Sequence, residues 1–244
     1  MRFLLSMLSL LLLSLPGMAQ AGPPFDTDDP EPTDTGHWEL YAANTLDGLG
    51  STLDGELALE ANYGAARNLQ LSLGLPYGYS RAPGEGTHSG LGDVEISVKY
   101  RFVDDRQSGL SVAAFPAITI PTGASRFTGH RPTVTLPLWA QLDRGRWALF
   151  GGGGYVVNSG PENRNYWTVG SALQRQIGDR LSIGAEVTRE GPVDLDDRAS
   201  TGVGLGVVYR IKAPFSLLLR GGPVFEDGGG KARYHSFVAL GLDF

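Results

Sequence analysis

The sequence predicts an all-β protein: a transmembrane antiparallel up-and-down β-barrel of about twelve strands, behind a cleaved N-terminal signal peptide. Three observations carry this. The first is the final stretch, Tyr234 to Phe244. Phe244, Leu242, Leu240, Val238, Ser236 and Tyr234 recur at every second position, and the intervening residues are small or polar apart from Phe237. Alternate side chains of a strand point to opposite faces, so this stretch has one apolar side with an aromatic at each end. Such a strand suits a hydrocarbon layer bounded by two interfaces. The second observation is the recurrence of the same alternation along the chain. The third is the sorting of the connections into short and long ones in strict turn.

The N-terminus comes first in order. Arg2 precedes an apolar run from Phe3 to Leu15, then Pro16-Gly17 and Ala19-Gln20-Ala21. A charged start, a short apolar core and a small-x-small site read as a signal peptide cleaved after Ala21. The run is too short for a spanning helix, which needs about 20 residues. Residues 1–21 are therefore set apart from the fold. The chain has no cysteine, which excludes a disulfide framework and thiolate metal sites. Its net charge of -6 and its export argue against nucleic acid as a partner.

Residues 22–36 hold four prolines and five acids without any period. They read as an extended arm. Three roles are open to it: a solvated periplasmic tail, a plug in a lumen, or a cation site through Asp26, Asp28, Asp29 and Glu31. The spacing of a calcium loop is absent.

The barrel spans residues 37–244. Strands are expected near 37–44, 55–64, 68–79, 91–102, 110–121, 133–142, 146–157, 166–176, 180–188, 200–211, 215–225 and 234–244. Leu69, Leu71, Leu73, Leu75, Tyr77 and Tyr79 share one face; Val94, Ile96, Val98, Tyr100 and Phe102 share another. Short connections (65–67, 103–109, 143–145, 178–179, 212–214) alternate with long ones (45–54, 80–90, 122–132, 158–165, 190–199, 226–233). An even strand count puts both termini on the periplasmic side.

The glycine runs Gly151–Gly154 and Gly202-x-Gly204-x-Gly206 are not phosphate loops, because no helix follows them. On a barrel wall, glycine relieves crowding. His37, His88, His130 and His235 have no serine two positions away, so no nucleophile–base pair is seen on one strand face. No catalytic residues, metal ligands or cofactors are expected. By register, Glu39, Glu56, Glu60, Asp93, Glu95, Lys99, Arg101, Arg146, Glu186, Arg210 and Arg220 line the lumen. Near-balanced charge in a confined space suits cross-strand ion pairs or a charge-lined path. Tyr41, Phe115, Trp139, Phe150 and Tyr166 are lumenal aromatics. Asp194, Asp196 and Asp197 form an acidic outer loop between Arg189 and Arg198, facing lipopolysaccharide or solvent.

Four stretches resemble a known family: Pro24 to Pro32 followed by Gly36-His37-Trp38-Glu39; Gly90-Leu91-Gly92-Asp93 leading to Lys99-Tyr100-Arg101-Phe102; Pro116 through Pro121-Thr122-Gly123; and the terminal Phe244. They are similar to outer-membrane barrel proteins of the MetA pathway of phenol degradation, also described as transporters. The resemblance implies a porin-like barrel that passes small hydrophobic or aromatic molecules. It brings no catalytic residues. The resulting expectation is a Gram-negative outer-membrane channel or transporter, with a non-conducting structural or adhesive barrel as the alternative. Its expected partners are outer-membrane lipids, lipopolysaccharide, a small-molecule solute and the barrel-assembly machinery. Phe244, Leu242, Leu240 and Tyr234 form the expected assembly signal.

Overall fold

A computed structural model describes residues 24–244. The signal-peptide reading falls on residues 1–21 and lies outside them. Fourteen strand segments follow the arm: β1 (Trp38–Leu49), β2 (Thr52–Ala66), β3 (Leu69–Ala82), β4 (Gly86–Leu91), β5 (Val94–Asp105), β6 (Leu110–Ala114), β7 (Ala117–Ile120), β8 (Thr133–Arg144), β9 (Trp147–Asn158), β10 (Tyr166–Gln176), β11 (Leu181–Glu190), β12 (Ser200–Lys212), β13 (Phe215–Glu226) and β14 (Arg233–Asp243). The described residues contain no helix.

Two pairs of segments are single strands with a break. β4 and β5 both pair with β3, and the register slips by one residue across Gly92-Asp93. β6 and β7 both lie between β5 and β8, interrupted at Phe115-Pro116, where proline brings no N–H to the ladder. The wall therefore has twelve strands, all antiparallel to their neighbours. β1 pairs with β14 over Glu39–Gly48, which closes the barrel and removes every sheet edge. The seam is finished by reciprocal backbone bonds, Trp38 N–H to the Phe244 carbonyl at 2.8 Å and Phe244 N–H to Trp38 at 3.0 Å.

The outer face is what a soluble protein avoids. Leu57, Leu59, Leu71, Leu73, Leu136, Leu138, Val203, Leu205, Val238 and Leu240 all stand exposed, Leu205 at 69 %. Facing hydrocarbon, this surface is solvated by lipid tails. Ring pairs mark both rims: Trp38 with Tyr63 at 4.7 Å at the terminal end, Tyr155 with Trp167 at 4.9 Å at the other. The inner face is polar, with Asn62, Gln70, Ser72, Ser97, Lys99, Gln174, Glu186 and Arg220 buried. One apolar cluster, Val208, Leu218 and Ala239 with Tyr41, Ala43 and Phe237, fills part of the interior.

The connections differ from expectation at two places. The segments 45–54 and 80–90 are not long loops. β1 and β2 run on to a two-residue turn at Gly50-Ser51, and β3 and β4 meet across 83–85. Above the hydrocarbon both strand faces meet water, so paired strands continue there without an apolar alternation to reveal them. The turn fits its residue: Gly50 has φ +65°, open to glycine at no steric cost. The loops 121–132, 159–165, 191–199 and 227–232 remain long.

Candidate functional site

The site is the lumen and the arm inside it. Residues 24–36 cross the barrel from the β9–β13 side to the β2–β5 side. Phe25 lies against Gly184 and Gly206 and meets the Phe150 ring at 6.0 Å. Thr27 lies on Gly170. Its N–H and its hydroxyl each donate to Glu186 Oε2 at 3.0 Å. Asp28 and Asp29 reach Lys99 Nζ at 3.1 and 3.6 Å. Glu31 pairs with Arg101, which also touches Asp104 at 3.6 Å. Thr33 donates from N–H (2.8 Å) and hydroxyl (3.0 Å) to Gln70 Oε1. The arm backbone then passes over Gly64, where Asp34 leaves no room for a Cβ. Gly36 N–H donates to the Gly64 carbonyl at 2.8 Å. Thr27, Pro30 and Thr33 are buried. The described part of the arm thus lies inside the lumen, not in solvent.

The wall is built to receive it. Arg220 Nε donates to Glu186 Oε1 at 2.6 Å, and its Nη2 reaches Asp26 at 2.7 Å. Both wall side chains are almost wholly buried. A Cβ at Gly204 would come within 2.8 Å of Arg220 Nε and 3.0 Å of Glu186 Oε1. The glycines of the 202–206 run thus face inward and clear space: Gly204 for the ion pair, Gly206 for Phe25. Opposite, Gln70 Nε2 donates to Asn62 Oδ1 at 3.1 Å and to Ser72 Oγ at 2.9 Å, which orients its Oε1 toward Thr33. Lys99 Nζ also sits 4.6 Å from the Phe115 ring centre. Burial pushes the Asp29 carboxyl up to about 7, against the opposing pull of Lys99. Asp26 is raised too, by burial, with Arg220 opposing.

The expected lumenal residues divide into groups. Glu186 and Arg220 pair directly across the wall. Lys99 and Arg101 meet acids of the arm. Glu60 accepts from Asn62 at 2.8 Å, and Glu39 from the Tyr41 hydroxyl at 3.3 Å. Glu56 and Glu60 stand four residues apart on β2, and Glu95 of β5 lies level with Glu60 across Gly74 of β3. Asp93 sits in the β4–β5 break and holds loop backbone. Arg210 is at the short-turn rim, with Nη1 3.3 Å from the Asp179 carbonyl. Arg146 is a correction: it lies exposed in the turn before β9, because the β8–β9 ladder begins at Trp147. Of the aromatics, Trp139 and Phe150 are buried inside.

Sequence reasoning missed the arm's individual partners. It also missed His235, whose Nδ1 lies 3.0 Å from Asp47 and whose Nε2 lies 3.4 Å from Asp26. In the outer loop, Asp194 accepts from the Asp196 and Asp197 amides at 2.9 and 2.7 Å, so its charge is spent on its own backbone. Arg189 is taken by Asp227. Among the described residues, no group of three or more His, Asp or Glu is placed to hold a metal ion.

A twelve-strand barrel with a polar lumen crossed by its own N-terminal arm can be compared with known proteins. The family described as "Putative MetA-pathway of phenol degradation" matches residues 27–231. The chain belongs to this family. Among curated proteins no sequence matches. Among solved structures, an outer membrane channel from Pseudomonas putida F1 superposes with a TM-score of 0.75 at 16% identity, over 90% of this chain and all of that one. The KdgM porin gives 0.60 at 10% identity, covering 84% of this chain and 99% of its own. The NanC porin gives 0.60 at 10%, covering 83% and 98%. At these identities the likeness is one of fold: an outer-membrane β-barrel of the channel and porin kind.

Proposed function

We propose that this family member is an outer-membrane channel for small molecules, aromatic ones included, and that the N-terminal arm controls its lumen. One observation carries the reading. The arm lies across the lumen, yet no strand ladder holds it there. Side-chain ion pairs and hydrogen bonds attach it, apart from a few backbone bonds near Gly64. Contacts of that kind are reversible in a way that a strand of the wall is not. Aromatic solutes are supported by the family's description and by the rings of Phe25, Phe115, Trp139 and Phe150 that line the interior. Transport is supported by the names of the solved structures whose fold it shares, a channel and two porins.

The arm also sets the charge of any path. The inward cations Lys99, Arg101 and Arg220 all face acids of the arm. Glu56, Glu60 and Glu95 keep no cation within ion-pair distance among the described residues, so the open part of the lumen favours cations.

The test is solute flux through the purified protein in liposomes. The arm variant Asp28→Asn/Glu31→Gln, which breaks the pairs to Lys99 and Arg101, is the comparison. Faster uptake of small phenols by that variant, with the barrel intact on heat-modifiable gels, supports a controlled channel. Absence of flux in both, together with no conductance in planar bilayers, supports the non-conducting alternative.

A further inference from the structure

Gly90-Leu91-Gly92-Asp93 and Pro121-Thr122-Gly123 are apart in sequence and meet in space. Asp93 Oδ1 accepts the Gly123 N–H at 2.9 Å across 30 residues. Its Oδ2 accepts the Gly129 N–H at 2.7 Å. In return the Val94 N–H donates to Thr122 Oγ1 at 3.0 Å, and the Ala124 N–H donates to the Leu91 carbonyl at 2.8 Å. One carboxylate in the β4–β5 break thus gathers both halves of the loop between β7 and β8. Hydrogen bonds to an ionised acceptor are the strong ones.

The loop folds into the barrel mouth. Phe127 packs on the inward faces of Gly78 and Gly90, where a side chain would displace its ring. Ala124 packs on Gly90 as well. Gly123 is fixed by crowding: a Cβ there would lie 2.8 Å from Gly92 and from the Leu91 carbonyl. Arg126 extends to Glu85 in the β3–β4 turn at 3.1 Å. Arg126 and Phe127 then form part of the wall of a chamber of about 590 Å³, with Glu56, Ser80, His88 and Thr119. No described residue of the arm borders that chamber.

We propose that the loop 121–132 is an outer gate over this chamber and that Asp93 is its latch. The lumen then has two independent closures. The arm closes the terminal half and the loop closes the far mouth. The two stretches of sequence are coupled because one supplies the acceptor and the other the amides. A small solute entering from outside meets Phe127 first and Glu56 behind it. The loop has no strand partner of its own, so release of Asp93 loosens it without unpairing the wall.

The test reads access to the chamber and does not depend on flux, so it stands whether or not the channel reading holds. The chain has no cysteine, so Glu56→Cys supplies one thiol. A charged, membrane-impermeant maleimide is applied to whole cells. Asp93→Asn in this background should speed labelling roughly tenfold, the equivalent of one lost charge-assisted hydrogen bond. Phe127→Ala should speed it as well while leaving the latch in place. Each variant is checked for an intact barrel by heat-modifiable migration; if Asp93→Asn does not assemble, Phe127→Ala carries the test. Parental labelling rates in both assembled variants overturn the gate. A rise with Phe127→Ala alone overturns the role of Asp93.

Discussion

Arg220 and Glu186 face each other across β13 and β11, with Nε 2.6 Å from Oε1, and the arm closes both ends of the pair. Asp26 takes Arg220 Nη2 at 2.7 Å, and Thr27 donates twice to Glu186 Oε2. A buried ion pair of this kind is costly to break from one side, because the remaining charge stays buried. Arg220→Met should destabilise the barrel by roughly 3–5 kcal/mol. The double variant Arg220→Met/Glu186→Gln should recover much of that loss. Urea unfolding in lipid measures both. A double variant as unstable as the sum of its singles would mean that the pair is not coupled.

Arm docking should depend on the wall glycines. Gly206→Val places a side chain where Phe25 lies, without touching the outer face. The barrel should assemble normally while the arm loosens. Labelling of a thiol introduced by Thr27→Cys reports this, since Thr27 is fully buried in the docked arm. An unchanged labelling rate would show that Phe25 is not an anchor.

Acid should tighten the arm. Docking raises the Asp29 carboxyl from its ordinary 3.8 to about 7, through burial, and raises Asp26 in the same direction. A carboxyl raised on docking takes up a proton when the arm docks. Its favourable share is complete below the ordinary value and is lost as pH rises through about 7. A nitroxide on Asp34→Cys should therefore be least mobile near pH 4 and freer above pH 7. The groups facing these acids are Lys99, Arg220, Glu186, His235, Asp28, Glu31 and Glu39. Greater mobility in acid would mean that the salt bridges of Lys99 and Arg220 outweigh the cost of burying the acids.

The lipid face should be intolerant of charge. Leu136 is 51 % exposed on the outer wall, and its neighbour Thr135 points inward. Leu136→Arg should cost about 2–4 kcal/mol if it lies near the midplane, and Thr135→Arg far less. Equal losses in urea unfolding would contradict the register of β8.

Removal of Phe244 takes away both backbone bonds to Trp38 at the seam and the last aromatic of β14. Yield in the outer membrane should fall, with the chain degraded in the periplasm. Parental yield on heat-modifiable gels would count against Phe244 as an assembly residue.

Much of this protein is legible in its sequence. The class, the twelve strands and the facing of residues such as Leu71, Val98 and Leu240 follow from a period of two, because a barrel wall has one lipid face and one lumen face along its whole length. Both strand breaks sit at residues that weaken a ladder, Gly92 and Pro116. The limits of the strands were harder. Beyond the hydrocarbon the alternation stops while the pairing continues, so the hairpin of β1 and β2 reads as loop. Tertiary structure alone decided what the lumen holds. Glu56 and Lys99 look alike as inward charges, yet Lys99 meets Asp28 and Asp29 while Glu56 meets open space. The arm has no periodicity to announce its place, since it borrows its order from Gln70, Glu186, Lys99 and Arg220 on strands distant in the chain. The inward glycines at 202, 204 and 206 carry the same lesson: a missing side chain shows in the sequence, but what fills the space is known only once the barrel closes.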